Sequence, residues 1–268
     1  MRFIVVIIFS IAINYNVVGQ NCKAFLYSGD TLQYEACLIA EERHGHYQFS
    51  WEYQNALERS VEHCTYFSYA YRHMSVAYLK SGDFINWKRM MDKAVKYAPL
   101  DNLGYRGWCR YQFFRDYGGA IEDIERLDSL TTSQIGYSAG GEYHLNIARA
   151  LCYKAIGEKT KAIQIIEGQL SQQNYSPGAY DHLHLGVLYM EVGRLEDALD
   201  ALDKQLEIND IAECNYYKAL ILKAMGKEYM QLLAKARSQY LFDNKMLDYY
   251  SHQEDKIYLR QIEEALKL

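Results

Sequence analysis

Few residues in this 268-residue chain have types and spacing suited to chemistry. His44 and His46 lie two apart, just after Glu41 and Glu42, and a divalent metal could take both imidazoles and one of those carboxylates. A plainer account competes with this one: His-Gly-His closing an EERH run is a natural polar stop to a helix. His182 and His184 are also two apart, but on one helix such residues point about 200° away from each other and cannot share a metal. The acidic pairs Glu41-Glu42, Glu122-Asp123 and Glu263-Glu264 read most simply as solvated helix faces. No Gly-rich phosphate loop, G-x-S-x-G or H-E-x-x-H occurs. The six cysteines (22, 37, 64, 109, 152 and 214) are too widely spaced for a zinc knuckle or ribbon. The sequence holds no catalytic constellation, and no cofactor is expected.

The elements that must carry these residues are helices. The chain has 2 prolines where average usage would give roughly 13, so little forces a helix to stop. Tyrosine runs the other way, with 26 residues. A formal net charge of −5 excludes a strongly basic nucleic-acid binder, and the hydrophobic content excludes a disordered tail.

Residues 1–19 read as a secretory address. Arg2 supplies a positive start, and residues 3–13 form an apolar run too short to span a bilayer core, which needs about 20. Val17 and Gly19 place cleavage between Gly19 and Gln20. A lipoprotein reading would acylate Cys22, but Asn21 stands where a lipobox needs a small residue. No other run approaches spanning length, so no transmembrane segment is expected in the mature chain. Export makes disulfides available.

The body repeats at about 34 residues. Residues 68–101 carry the clearest unit, with Tyr71, Met74, Ser75, Tyr78, Gly82-Asp83-Phe84, Trp87, Met91, Ala94 and Pro99. Residues 180–210 carry a second, with Leu185-Gly186, Tyr189, Gly193, Ala198 and Leu202. Ala150, Tyr153, Gly157, Ala162 and Ile166 mark another, and Ala219, Leu222 and Gly226 a further one. Gly107, Tyr111, Asp116 and Ala120 fit with one extra residue between Gly107 and Asp116. Apolar residues at i, i+3, i+4 and i+7 on both arms predict helix, turn, helix. Glycine at the turn supplies the left-handed position that ends the first helix, and small residues such as Gly107 and Gly186 let paired helices approach.

This pattern resembles the tetratricopeptide repeat (TPR) family across roughly residues 34–245. The resemblance implies an all-α fold, a right-handed superhelix (an α-solenoid of antiparallel helix pairs) with a C-terminal capping helix. The expected layout is a signal peptide at 1–19, an N-terminal segment at 20–33 and a degenerate, capping repeat at 34–67. Repeats follow at 68–101 and 102–131, then a Ser/Thr/Gly-rich loop at 132–141. Further repeats span 142–177 and 178–211, with a TPR-like unit at 212–245 and a cap at 246–268. Ile257, Leu259, Ile262 and Leu266 lie on one face of that last helix, which could alternatively bind a partner.

The family binds rather than catalyses, in a groove lined by the first helices of the repeats. Its groove positions fall here on Tyr69, Arg72, Val76, Leu79 and Lys80, then His144, Ile147, Leu151 and Lys154, then Tyr180, Leu183, Val187 and Met190, then Glu213, Tyr216 and Leu220. An extended peptide or a helix would suit this lining. The carboxylate clamp of chaperone-binding members is lacking, because Val76 replaces its Asn and Ala148 its later Arg, although Arg72 holds its first cationic place. The same register puts Cys37 near the start and Cys64 at the end of the first helix pair, which predicts a bridge between Cys37 and Cys64. Cys109 and Cys152 are expected as small buried hydrophobes. The implied function is a non-enzymatic protein-interaction scaffold of the periplasm or cell envelope with a protein or peptide partner. A structural role through the convex face or C-terminal helix is the alternative.

Overall fold

The computed structural model describes residues 21–247 and 253–267. The expected signal peptide at 1–19 lies outside them. Among the described residues the chain is helical, without a strand, and falls into two compact units, Met1–Tyr97 and Ala98–Leu268. Consecutive helices pack in pairs, as an α-solenoid requires. No described helix is long and apolar enough to cross a membrane.

The first unit holds α1 (Cys22–Tyr27), α2 (Thr31–Glu41), α3 (Trp51–His63), α4 (Ser68–Ser81) and α5 (Phe84–Tyr97). Asp30 starts α2 by accepting the Gln33 amide at 2.9 Å, and Ser50 starts α3 by accepting that of Tyr53 at 3.3 Å. Gly82, at φ +79°, turns the chain between α4 and α5. Trp87, Met91 and Ala94 on α5 are buried, with Ala70, Tyr71 and Met74 on α4.

The disulfide differs from the expectation. It joins Cys22 to Cys37, with Cα atoms 5.5 Å apart, and not Cys37 to Cys64. The helical register began at residue 34 and gave no partner to Cys22, whereas α1 packs directly on α2. Cys64 is a buried free thiol at the end of α3. A bridged Cys22 also has no thiol left for acylation, which removes the lipoprotein reading. Cys109, Cys152 and Cys214 are likewise buried and take no part in a disulfide.

The second unit begins at Ala98. Pro99 follows the end of α5 by two residues, keeps Ala98 out of helical geometry, and itself sits in the first turn of α6 (Pro99–Cys109), where the amide needs no partner. A π-helical turn, Arg110–Phe114, continues α6. It absorbs the extra residue between Gly107 and Asp116, and Arg115 at φ +53° ends it where other pairs use glycine. Next come α7 (Tyr117–Leu130), α8 (Leu145–Ala155), α9 (Lys159–Leu170), α10 (Asp181–Glu191) and α11 (Leu195–Ile208). The last are α12 (Ala212–Ala224), α13 (Met230–Leu241) and α14 (Leu259–Lys267).

Close approach within pairs is visible at two glycines. A Cβ on Gly186 of α10 would fall 2.7 Å from Leu202 Cγ of α11, and one on Gly107 would fall 2.9 Å from Ile124 Cγ1 of α7. A buried ion cluster also ties α6 to α7. Arg106 grips Asp123 through two hydrogen bonds of 2.8 and 2.6 Å, and Arg110 reaches the same carboxylate at 3.1 Å. The expected long C-terminal helix is helical only in α14 among its described residues. Ile262 and Ala265 of α14, with Ile257 before it, pack into a core with Ala212, Tyr216, Leu233 and Ala236.

Candidate functional site

The first helices of the second unit, α8, α10 and α12, lie side by side. Their expected groove positions are largely buried. Ile147, Leu151 and Leu183 are fully buried, and Val187 nearly so. Tyr216 and Leu220 pack into the core that Ile257 and Ile262 complete. What covers part of this face is the chain itself, through a stretch without regular structure at 253–258.

Asp255 is the centre of that contact. Its Oδ2 lies 2.7 Å from His184 Nδ1 on α10, and its Oδ1 accepts a very short hydrogen bond from Lys154 Nζ at the end of α8. A carboxylate only accepts, so His184 donates from Nδ1. His184 Nε2 then faces the Tyr143 hydroxyl at 3.1 Å. Tyr143 comes from the loop before α8 and stacks near Trp108 of α6, with ring centroids 5.7 Å apart. The side chains of Asp255 and His184 are 4% and 0% exposed and that of Lys154 8%, so the pairing is made nearly out of water. The charges alternate outward, since Glu191 accepts from Lys154 at 3.2 Å and from Lys159 at 3.0 Å.

Flanking contacts hold the segment more loosely. Tyr143 reaches Gln253 Oε1 at 3.4 Å and Tyr117 reaches Glu254 Oε1 at 3.5 Å. Glu213, buried at the start of α12, accepts the Met246 amide at 3.0 Å, and the Tyr180 hydroxyl faces the Leu247 amide at 3.4 Å. Asp255 sits in the left-handed region at φ +64°, which aspartate tolerates better than most residues.

The protonation chemistry of this cluster keeps Asp255 and Lys154 charged against each other. Burial pushes the Asp255 carboxyl up, but the Lys154 ammonium and the His184 hydrogen bond outweigh it and leave it below the ordinary carboxylate value. Burial works against the Lys154 charge, yet Asp255 and Glu191 bring it net above the usual lysine value. Burial drives the Tyr143 phenol well up. The thiols of Cys64, Cys152 and Cys214 are also damped by burial, which pushes Cys214 up to about 12.

Other expected groove positions fall elsewhere. His144 is the N-cap of α8 and accepts the Asn146 amide at 3.2 Å through Nδ1. It lines a polar recess of about 410 Å³ with Asp128, Gln134, Asn146 and Gln169. Met190 on α10 is half-buried. In the first unit, Tyr69 is half-buried and its hydroxyl accepts from Arg43 Nη2 at 2.6 Å. Arg72, Val76 and Leu79 are half-buried too, and the exposed Lys80 donates to Gln48 at 2.9 Å. His73, which the sequence did not mark, stacks 4.1 Å from Tyr69, and burial beside Arg43 lowers its pKa to about 3.

The metal reading finds a different grouping. Among the described residues, the trio of metal-capable side chains whose ligand atoms come within 4.8 Å of one another is Cys22, Cys37 and Glu41, and its two sulfurs are joined to each other. His44 pairs with Glu41 at 3.0 Å, without His46. His184 is buried against Asp255, whereas burial and Lys204 hold the half-buried His182 below its ordinary pKa. Sequence reasoning missed Tyr143, His184 and Asp255 as one cluster. Their separations of 41 and 71 residues leave no local spacing to read.

No protein-family model and no curated protein matches the chain. Among solved structures it is similar to the crystal structure of PilW, a widely conserved type IV pilus biogenesis factor. The two share a TM-score of 0.57 and 14% identity over 92% of this chain and 97% of PilW. The structure of Naa15/Naa10 bound to HypK-THB matches at a TM-score of 0.47 and 15% identity, covering 83% of this chain and 33% of that one. The likeness to PilW is one of fold, a helical repeat.

Proposed function

We propose that the chain is an exported, non-enzymatic adaptor of the tetratricopeptide type that holds a protein or peptide partner against the first helices of its repeats. The observation that carries this reading is that α8, α10 and α12 already hold a non-helical polypeptide segment, through a buried carboxylate and a buried isoleucine. A face that binds one such segment has the shape and donors to bind another. In the first unit the matching positions, Tyr69, Arg72, Val76, Leu79 and Lys80, are half-buried or exposed and are the proposed contact surface. The opposite charges kept on Asp255 and Lys154 support binding. The bridge between Cys22 and Cys37 supports export, because disulfides persist outside the cytosol. The fold likeness to a pilus biogenesis factor supports a role in assembling a cell-envelope structure.

Cross-linked recovery of partners from the native envelope fraction tests this. Tyr69→Ala with Arg72→Ala should abolish recovery of the partner while far-UV circular dichroism stays unchanged. Full recovery from that variant, with loss only on deleting residues 246–268, would move the contact to the C-terminal segment. The burial of Ile262 and Ala265 speaks against that outcome.

A further inference from the structure

We propose that Lys154, His184 and Tyr143 form a binding site for an acidic residue of a partner polypeptide, and that residues 253–257 fill it as an internal competitor. This rests on the adaptor reading and gives the second unit a ligand class.

Two groups on two separate helices converge on one carboxylate, from the last turn of α8 and the middle of α10, and Tyr143 in the loop before α8 backs the far nitrogen of the His184 ring. The carboxylate comes from no helix. It is presented by an irregular stretch, at a left-handed aspartate, much as a bound peptide would present it. A segment needed only to fill space would be held as well or better by apolar side chains, because a buried ion pair seldom outperforms them. What the ion pair adds is selectivity for the charge.

The hold has two deep points. Asp255 enters the cradle, and Ile257, two residues on, is fully buried among Ala212, Tyr216 and Ile262. Toward the repeat helices the neighbours Gln253 and Glu254 make long contacts of 3.4 and 3.5 Å, while Gln253 donates within the segment to the Leu247 carbonyl at 3.1 Å. The site therefore selects an acidic side chain followed two positions later by an aliphatic one. A tethered competitor lowers a partner's apparent affinity by the fraction of time the site is open. Weakening the tethered acid should then strengthen binding in trans.

The probe is a fluorescein-labelled peptide of residues 251–260, SHQEDKIYLR, titrated by anisotropy into the full mature chain. The Asp255→Asn variant should bind it about ten- to a hundredfold more tightly than wild type, since a hydrogen bond to a charged group is lost only in the internal segment. Adding Lys154→Met to that variant should abolish binding, and so should Asn in place of the peptide's aspartate. Equal affinity of Asp255→Asn and wild type, with helix content unchanged, would overturn the proposal. Should Asp255→Asn lose helix content, hydrogen exchange on wild type decides. Saturating peptide should deprotect the amides of residues 253–258, and unchanged protection overturns it. Partner recovery that depends on Tyr69 and Arg72 but ignores both Asp255→Asn and Lys154→Met would overturn this inference and leave the adaptor reading standing.

Discussion

Replacing Gly186 by Ala probes the closeness of the α10 and α11 pair. The new Cβ would lie 2.7 and 2.8 Å from Leu202 Cγ and Cδ2, and 3.3 Å from the Ala198 carbonyl oxygen. Alanine is favoured over glycine inside a helix by about 1 kcal/mol. Overpacking a full core costs about 1–3 kcal/mol. Leu202 is fully buried, and the Ala198 carbonyl belongs to the helix backbone, so neither yields easily. An overlap that cannot relax takes the upper part of that range, about 2–3 kcal/mol, so the net expectation is a loss of about 1–2 kcal/mol, which in a unit of this size lowers Tm by about 2–8 °C. A double-mutant cycle sharpens the test. Leu202→Ala alone should cost about 2–5 kcal/mol by leaving a cavity. In that background the two overlaps with Leu202 are gone and only the milder 3.3 Å approach to the Ala198 carbonyl opposes the propensity gain, so Gly186→Ala should become neutral or stabilising. The assay is thermal and urea unfolding of the four proteins by circular dichroism. A Gly186→Ala protein as stable as wild type, or a cycle that adds without coupling, would refute the packing argument.

Three further expectations concern the bridge, the buried acids and the ion cluster. Alkylation of unfolded, unreduced protein should add four groups by intact mass and six after reduction, and Cys22→Ser should cost about 3 kcal/mol, the value for a loop of this length. Burial raises the Glu213 carboxyl above its ordinary 4.5, against the pull of the Met246 and Ile257 amides. Wild type should therefore gain stability as pH falls from neutral through the folded value to 4.5, and Glu213→Gln, as stable or more so at neutral pH, should lack that gain. Asp255 has the opposite sign: its folded value lies below 3.8, so its contribution is present above 3.8 and lost as acid is added below it, a loss absent in Asp255→Asn. Asp123→Asn strips the charge that pairs Arg106 and Arg110, and urea unfolding should show a loss of about 3–5 kcal/mol.

The helix pairs and their turns were legible because they are local. Gly82, Gly157, Gly193 and Gly226 all adopt positive φ where the repeat placed them. Even the extra residue between Gly107 and Asp116 left a mark, and it proved to be a π-helical turn. The bridge was misread because the repeat frame excluded α1, although Cys22 lies 15 residues before its partner. The expected groove positions fall on first helices or, for His144 and Tyr180, at their N-caps, and several are covered. That covering depends on an irregular segment whose sequence, QEDKI, reads as a continuing amphipathic helix. Only its long-range pairing with Lys154 and His184 sets it apart, and no periodicity reports such a pairing.

Site-specific photo-cross-linking in the native envelope tests the central claim most directly. A photoreactive residue is placed in turn at Lys80, on first helix α4, and at Lys88, on second helix α5, both exposed. Binding against the first helices predicts a discrete partner adduct from position 80 and none from position 88. An adduct from position 88 with none from position 80 would contradict it.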